Sequence, residues 1–140
     1  AKKEVHGMIY GIGVDTATTA RVAKSVQRAS FLEKVFGAQE RVLFARHHNN
    51  ADTMAANFAA KEAFGKALGA GIFSGLFDLS EVQALRGESG APYLAFSGKA
   101  AVLIAEKRLR THLSLTHEGG VATAFVVLEI ADTAERLSQV

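Results

Sequence analysis

Between Ala55 and Leu68 the only polar side chains are Asn57, Lys61, Glu62 and Lys66. At about 100° per residue this stretch reads as a helix that is apolar around most of its circumference. Glu62 and Lys66 fall on the same side as Ala55, Phe58 and Ala59. A carboxylate and an ammonium on a buried helix need partners or a ligand, because unpaired buried charge is costly. The small neighbours Ala55, Ala59, Ala63 and Gly65 leave room for something to lie against it. Glu followed by Lys at i,i+4 is also the commonest helix-stabilising ion pair. The rest of the chain has to decide between a structural pair and a site.

Two further segments carry candidate chemistry. Met8 to Val14 reads as a strand, with Ile9, Gly11, Gly13 and Asp15 on one face. Glycines inside a strand mark places where a ligand or another backbone comes close. Asp15 then stands at the strand end. His112 to His117 reads as a strand with His112, Ser114 and Thr116 on one face. Carboxylates from two elements, Asp15 and Glu62, suit Mg²⁺, which takes one or two protein carboxylates and completes its shell with water and phosphate oxygens. Lys66, one turn after Glu62, is placed to meet phosphate charge. Gly69-Ala70-Gly71 lets backbone approach a nucleotide-like ligand. Several other motifs are excluded. The Walker spacing with its terminal Lys-Ser/Thr is missing, and Gly11-Ile12-Gly13 lacks the third glycine of a dinucleotide fingerprint. No nucleophile elbow surrounds Ser114, which argues against a Ser114–His117–Asp15 triad. His47 and His48, adjacent in a polar break, are weak evidence for metal.

The elements that must position these residues follow in order. After the first strand, Thr16, Thr18 or Thr19 caps a helix running to about Phe36, with Gly37 as its C-terminal stop. Along it Arg21, Lys24 and Arg28 lie within about 60° of one another, beside an apolar stripe of Val22, Val26 and Ala29. Gln39 to Arg46 is a shorter helix. Asn50 or Asp52 caps the central helix, which Gly69-Ala70-Gly71 ends. Leu79 to Arg86 and Pro92 to Phe96 form a hairpin through Gly87-Glu88-Ser89-Gly90, and a helix from Ser97 or Gly98 runs through Arg108. His112 to His117 and Val121 to Ile130 flank Glu118-Gly119-Gly120, a second hairpin signal. The expectation is an α+β fold, a mostly antiparallel sheet packed around a long buried helix.

The 140 residues read as one domain over 8–130. Residues 1–7 are left aside as a remnant of cloning or a short natural extension, and 131–140 as a C-terminal tail, either an amphipathic helix or a frayed end. Nearly half the residues are hydrophobic, which excludes general disorder. A formal charge of +2 is too small a bias to argue nucleic-acid binding. Cysteine is absent, so there is no disulfide framework or thiolate site, as fits a cytoplasmic protein. No apolar run is long enough to span a membrane, and no secretory signal is visible.

Three motifs in order resemble the holo-acyl-carrier-protein synthase family, the small 4'-phosphopantetheinyl transferases. Gly11-Ile12-Gly13-Val14-Asp15, with Arg21 six residues on, is similar to the family's opening signature. Phe58 through Gly71 is similar to its Ala-x-Lys-Glu-Ala-x-x-Lys-Ala-Leu-Gly-Thr-Gly helix and loop. His112 through Glu118 is similar to its His-Val-Ser-Ile-Ser-His-Glu strand. The resemblance spans about Met8 to Ile130. It implies Mg²⁺-dependent transfer of 4'-phosphopantetheine from coenzyme A, the substrate, to a serine of apo acyl carrier protein, releasing 3',5'-ADP, in fatty-acid synthesis by default. It implies Asp15 and Glu62 as metal ligands. Asp15, Glu62, Lys66 and His112 would be the catalytic set, and Lys66, Gly69, Gly71, His112 and Ser114 would meet coenzyme A. It implies a homotrimer with sites at subunit interfaces. Arg21, Lys24 and Arg28 then become a docking face for the acidic carrier; Arg21 matches the motif, while Lys24 and Arg28 rest on helix geometry. The chain departs from the family at Thr18 (often acidic), Gly65 (often serine), Ala70 (threonine) and Thr116 (serine). The lost hydroxyls at 65 and 70 motivate an alternative, a non-catalytic module binding acyl carrier protein or coenzyme A.

Overall fold

A computed structural model describes residues 8–131. The readings of residues 1–7 and of the tail after Ala131 lie outside the described residues. The elements are β1 (Met8–Thr18), α1 (Thr19–Ser25), α2 (Ala29–Val35), α3 (Ala38–Arg46) and α4 (Ala51–Leu68), then a 3₁₀ turn (Leu79–Glu81). They continue with β2 (Val82–Arg86), β3 (Pro92–Phe96), α5 (Gly98–Lys107), β4 (Leu109–Glu118) and β5 (Val121–Ile130). The α+β expectation holds, and every strand pairing is antiparallel. The strands divide into two sheets, one ordered β1-β5-β4 and the other the β2-β3 hairpin.

Helix α4 is the centre of the core. Asn50 caps it by accepting from the backbone N–H groups of Asp52 and Thr53, and Gly69 ends it in the left-handed conformation at φ 85°. Ala55, Ala59, Ala63 and Ala67 are buried, and so are Ala122, Ala124, Val126 and Leu128 of β5. The glycines of β1 explain how close the helix lies. A Cβ on Gly11 would collide with the carbonyl oxygen of Ala67, and one on Gly13 with that of Ala63. Their role is close helix-on-strand packing.

Several boundaries differ from those read in the sequence. The strand runs on to Thr18, so Asp15 lies inside β1 and not at its end. The single helix expected to Phe36 is two helices, α1 and α2, parted at 26–28. Val22 and Val35 are both buried. On one straight helix they would point about 140° apart at 100° per residue, so the break lets both face the core. Thr18 occupies the N-cap of α1 without a side-chain cap bond. Gly37 is not a left-handed stop: at φ −73° it is the N-cap of α3. Leu79–Glu81 forms a 3₁₀ turn, and β2 starts at Val82.

The fully buried charge on α4 is Lys61. Its ammonium donates to Glu40 Oε1 at 2.6 Å, to the Leu79 carbonyl at 3.0 Å and to the Val82 carbonyl. Glu40 also accepts from the Gly37 N–H at 3.0 Å, the Asn57 amide at 2.9 Å and the Ala84 N–H at 3.2 Å. Arg86 donates to Asn57 Oδ1 at 3.0 Å. Burial pushes the Glu40 carboxyl up and the Lys61 ammonium down, and their mutual attraction opposes both shifts. The network ties α3, α4 and β2 together, and its buried charges are all hydrogen-bonded.

Candidate functional site

Asp15 and Glu62 converge where β1 crosses α4. Asp15 points to the inner face of the sheet, in the same row as buried Ala124. Lys66 Nζ donates to Asp15 Oδ1 and to the Val14 carbonyl, each at 3.1 Å. The Lys66 side chain is 59% exposed while that of Asp15 is 16% exposed, so the ammonium approaches from the solvent side. The second oxygen, Asp15 Oδ2, is buried without a hydrogen-bond partner.

Glu62 lies one turn before Lys66. Its carboxyl is pushed up from 4.5 to about 7, first by burial and then by the Asp15 carboxyl, which accepts a hydrogen bond from Glu62 only when Glu62 is protonated and repels it when ionised; Lys66 and Arg21 pull it down. Two ionised carboxylates can only accept, so between them they require a proton or a cation. The unpartnered Asp15 Oδ2 makes the same demand. Among the described residues no group of three or more His, Cys, Asp or Glu side chains is placed to hold a metal. A two-carboxylate pair open to a cavity still fits Mg²⁺, whose remaining positions go to water and substrate oxygens.

The cavity beside the pair measures about 420 Å³; Asp15, Thr18, Arg21 and Glu62 give its polar wall and Phe31 and Phe58 part of its apolar wall. A second hollow of about 360 Å³ is bounded by Glu62, Lys66, Gly71 and Phe73. A third, largely apolar and about 580 Å³, has Arg28 and Lys34 among its borders. All three meet at Phe73, whose side chain stands almost wholly in solvent. A cleft with one charged corner, a basic rim and apolar walls suits a ligand with both anionic and apolar parts.

The structure brings together Asp15, Glu62, Lys66 and Arg21, with Gly71 on the neighbouring wall. Gly69 shapes the turn that leaves α4. Lys24 is exposed on α1 with Arg21. Arg28 departs from the expected stripe: it stands in the break before α2, its guanidinium 5.9 Å from the centre of the Phe31 ring. His112 and Ser114 lie elsewhere. His112 shares a row with Val127 and Ile12, and Ser114 with Phe125 and Val14. Ile12, Val14 and Phe125 are exposed on the outer face of the sheet. Within one chain, His112 and Ser114 therefore face away from Asp15. Residues missed in the sequence are Phe31 and Phe73 on the cavity walls and Glu129, which meets His112 Nε2 at 2.9 Å. Only Phe31 had a legible signal, its four-residue spacing from buried Val35.

Fold and site define a small α+β domain with an acidic pair and a lysine in a cleft between strand and helix. The chain belongs to the 4'-phosphopantetheinyl transferase superfamily, whose family model matches residues 11–126. It is 39% identical over 126 residues to a holo-[acyl-carrier-protein] synthase of Vesicomyosocius okutanii, covering 88% of this chain and 98% of that protein. It is 40% identical over 129 residues to the synthase of Clostridium perfringens, covering 87% and 95%. Among solved structures, the synthase of Neisseria meningitidis superposes with a TM-score of 0.79 at 30% identity, covering 87% of this chain and 99% of that one. The Bacillus anthracis synthase, in complex with CoA (3',5'-ADP), gives 0.73 at 31% identity, covering 89% and 99%.

Proposed function

We propose that this chain, as one domain over 8–130, transfers 4'-phosphopantetheine from coenzyme A to a serine of apo acyl carrier protein and releases 3',5'-ADP. The observation that carries the reading is the buried, unpartnered Asp15 Oδ2 opposite Glu62, in a cavity beside Lys66. Asp15 and Glu62 would hold Mg²⁺. When bound, the ion supplies positive charge to the pyrophosphate oxygens. The residues of this chain do the remaining work. Lys66, tethered to Asp15 and the Val14 carbonyl, stands at the solvent side of the pair and offers charge to the adenosine-side phosphate of the departing 3',5'-ADP. Gly71 leaves the adjoining wall low, so backbone comes close to the ligand. Phe31, Phe58 and Phe73 give the pantetheine arm apolar cover. Such a site works mainly by positioning and by charge placed in advance. Arg21 and Lys24 on α1, with Arg28 at the start of α2, form a basic rim for an acidic carrier.

His112 and Ser114 enter this reading through assembly. A homotrimer that covers the outer face of the sheet, with Ile12 60% exposed there, would set His112 of one chain against the cleft of the next. The carrier of fatty-acid synthesis, in the cytoplasm, is the proposed partner. The test is the mass of an apo acyl carrier protein incubated with this protein, coenzyme A and Mg²⁺. A gain of one phosphopantetheine is the expected result. Binding without mass gain overturns the reading. For the shared site, mixing inactive Glu62→Gln and His112→Ala proteins restores part of the activity, whereas sites confined to one chain give none.

A further inference from the structure

We propose that Glu129 is a positioning residue that fixes the tautomer and direction of the His112 ring, an inference that rests on His112 serving the transfer site. His112 Nε2 and Glu129 Oε1 are 2.9 Å apart. They are diagonal neighbours on the outer face: Glu129 lies directly across from Arg110, and His112 from Val127. A carboxylate only accepts, so Nε2 must carry the proton. The neutral ring then has one free acceptor, Nδ1. Arg110 stands 3.8 Å from the same Glu129 oxygen and supports its charge. The Glu129 side chain is 21% exposed and that of His112 50% exposed, so the ring is anchored to the more covered of the two groups.

As a plain surface ion pair this contact would contribute little to stability. Its consequence is chemical. An unanchored imidazole divides between two tautomers and several ring angles. The Glu129 bond selects one, so Nδ1 is left as an acceptor when the ring is neutral and as a donor when it is protonated. A ring held that way meets a phosphate oxygen or a hydroxyl at a fixed angle. Glu129 never touches the ligand in this account and acts only through His112.

The experiment compares wild type, Glu129→Gln, Glu129→Ala and His112→Ala, each checked for native assembly, by steady-state kinetics and by ring ¹⁵N NMR of His112. In the neutral form the wild-type ring carries its proton on Nε2. Glu129→Ala mixes the tautomers and lowers kcat/KM for coenzyme A about tenfold, the scale of one lost hydrogen bond to a charged group. The KM for the carrier stays the same. Glu129→Gln still offers a carbonyl acceptor and restores both the tautomer and most of the rate. The double variant His112→Ala/Glu129→Ala is no slower than His112→Ala, because Glu129 works through the ring. A wild-type spectrum with the proton on Nδ1 overturns the proposal, even where Glu129→Ala fails to fold. Undiminished kcat/KM in Glu129→Ala also overturns it, as does further loss in the double variant. A wild-type protein that transfers nothing would instead sink the transferase reading, and full activity in His112→Ala would remove His112 from the site.

Discussion

Helix α4 carries two charge clusters, and their difference separates structure from site. Around Lys61 the charged atoms have protein partners: Glu40 collects four donors, and the ammonium meets one carboxylate and two carbonyls. One residue further on, Glu62 opposes Asp15, and one buried carboxylate oxygen has no partner. The first cluster is complete without a ligand. The second holds two like charges together and opens on a cavity. A fold tolerates such an arrangement where something else is to be bound.

Substitutions sharpen this contrast, and the largest effect belongs to the completed cluster. Lys61→Met leaves Glu40 buried without its cation and costs about 3–5 kcal/mol of stability, read by denaturant unfolding. Glu62→Gln does the reverse. The protein folds normally, while turnover in the mass assay falls about a hundredfold, the scale of losing one charge-stabilising group. If Lys61→Met proved harmless and Glu62→Gln unfolded the protein, the assignment of the two clusters would be inverted.

The pH dependence follows from the direction of the Glu62 shift. Its folded value, about 7, lies above its ordinary value of 4.5. The folded state therefore holds this proton more tightly than the unfolded state does. That contribution to stability is fully present below about pH 4.5 and is lost as pH rises through about 7. In metal-free protein the melting temperature of wild type should fall relative to Glu62→Gln across this window. Parallel curves would show that Glu62 does not feel Asp15. Arg21→Glu gives the smallest effect, about a tenfold rise in KM for the carrier with that for coenzyme A nearly unchanged, because rim charge steers association. Equal shifts in both constants would show that Arg21 acts on coenzyme A through the cavity wall it shares with Glu62 and not on the carrier alone.

Much of this was legible in the chain. The Gly69 stop and the two glycine hairpins are local signals that stand where the sequence placed them, and of the two caps the sequence offered, Asn50 and Asp52, the structure uses Asn50. The apolar girth of α4 marked it as buried. Other features needed tertiary information. Val26-Gln27-Arg28 holds no glycine or proline, so nothing local announces the end of α1. The fate of Lys61 depends on Glu40, 21 residues away; helical periodicity sets Lys61 on a different side from Glu62 and Lys66 but cannot tell that a partner waits there. Strand alternation gave the faces of β1 and β4 separately. Only the register through β5 shows that Asp15 and His112 point to opposite sides.

The proposed metal site joins Asp15 and Glu62 around a divalent cation beside the pyrophosphate. Calorimetric titration of Mg²⁺ into the coenzyme A complex, for wild type, Asp15→Asn and Glu62→Gln, tests it most directly. Saturable binding in wild type and none in either variant is the predicted result. Equal binding in all three proteins would contradict it.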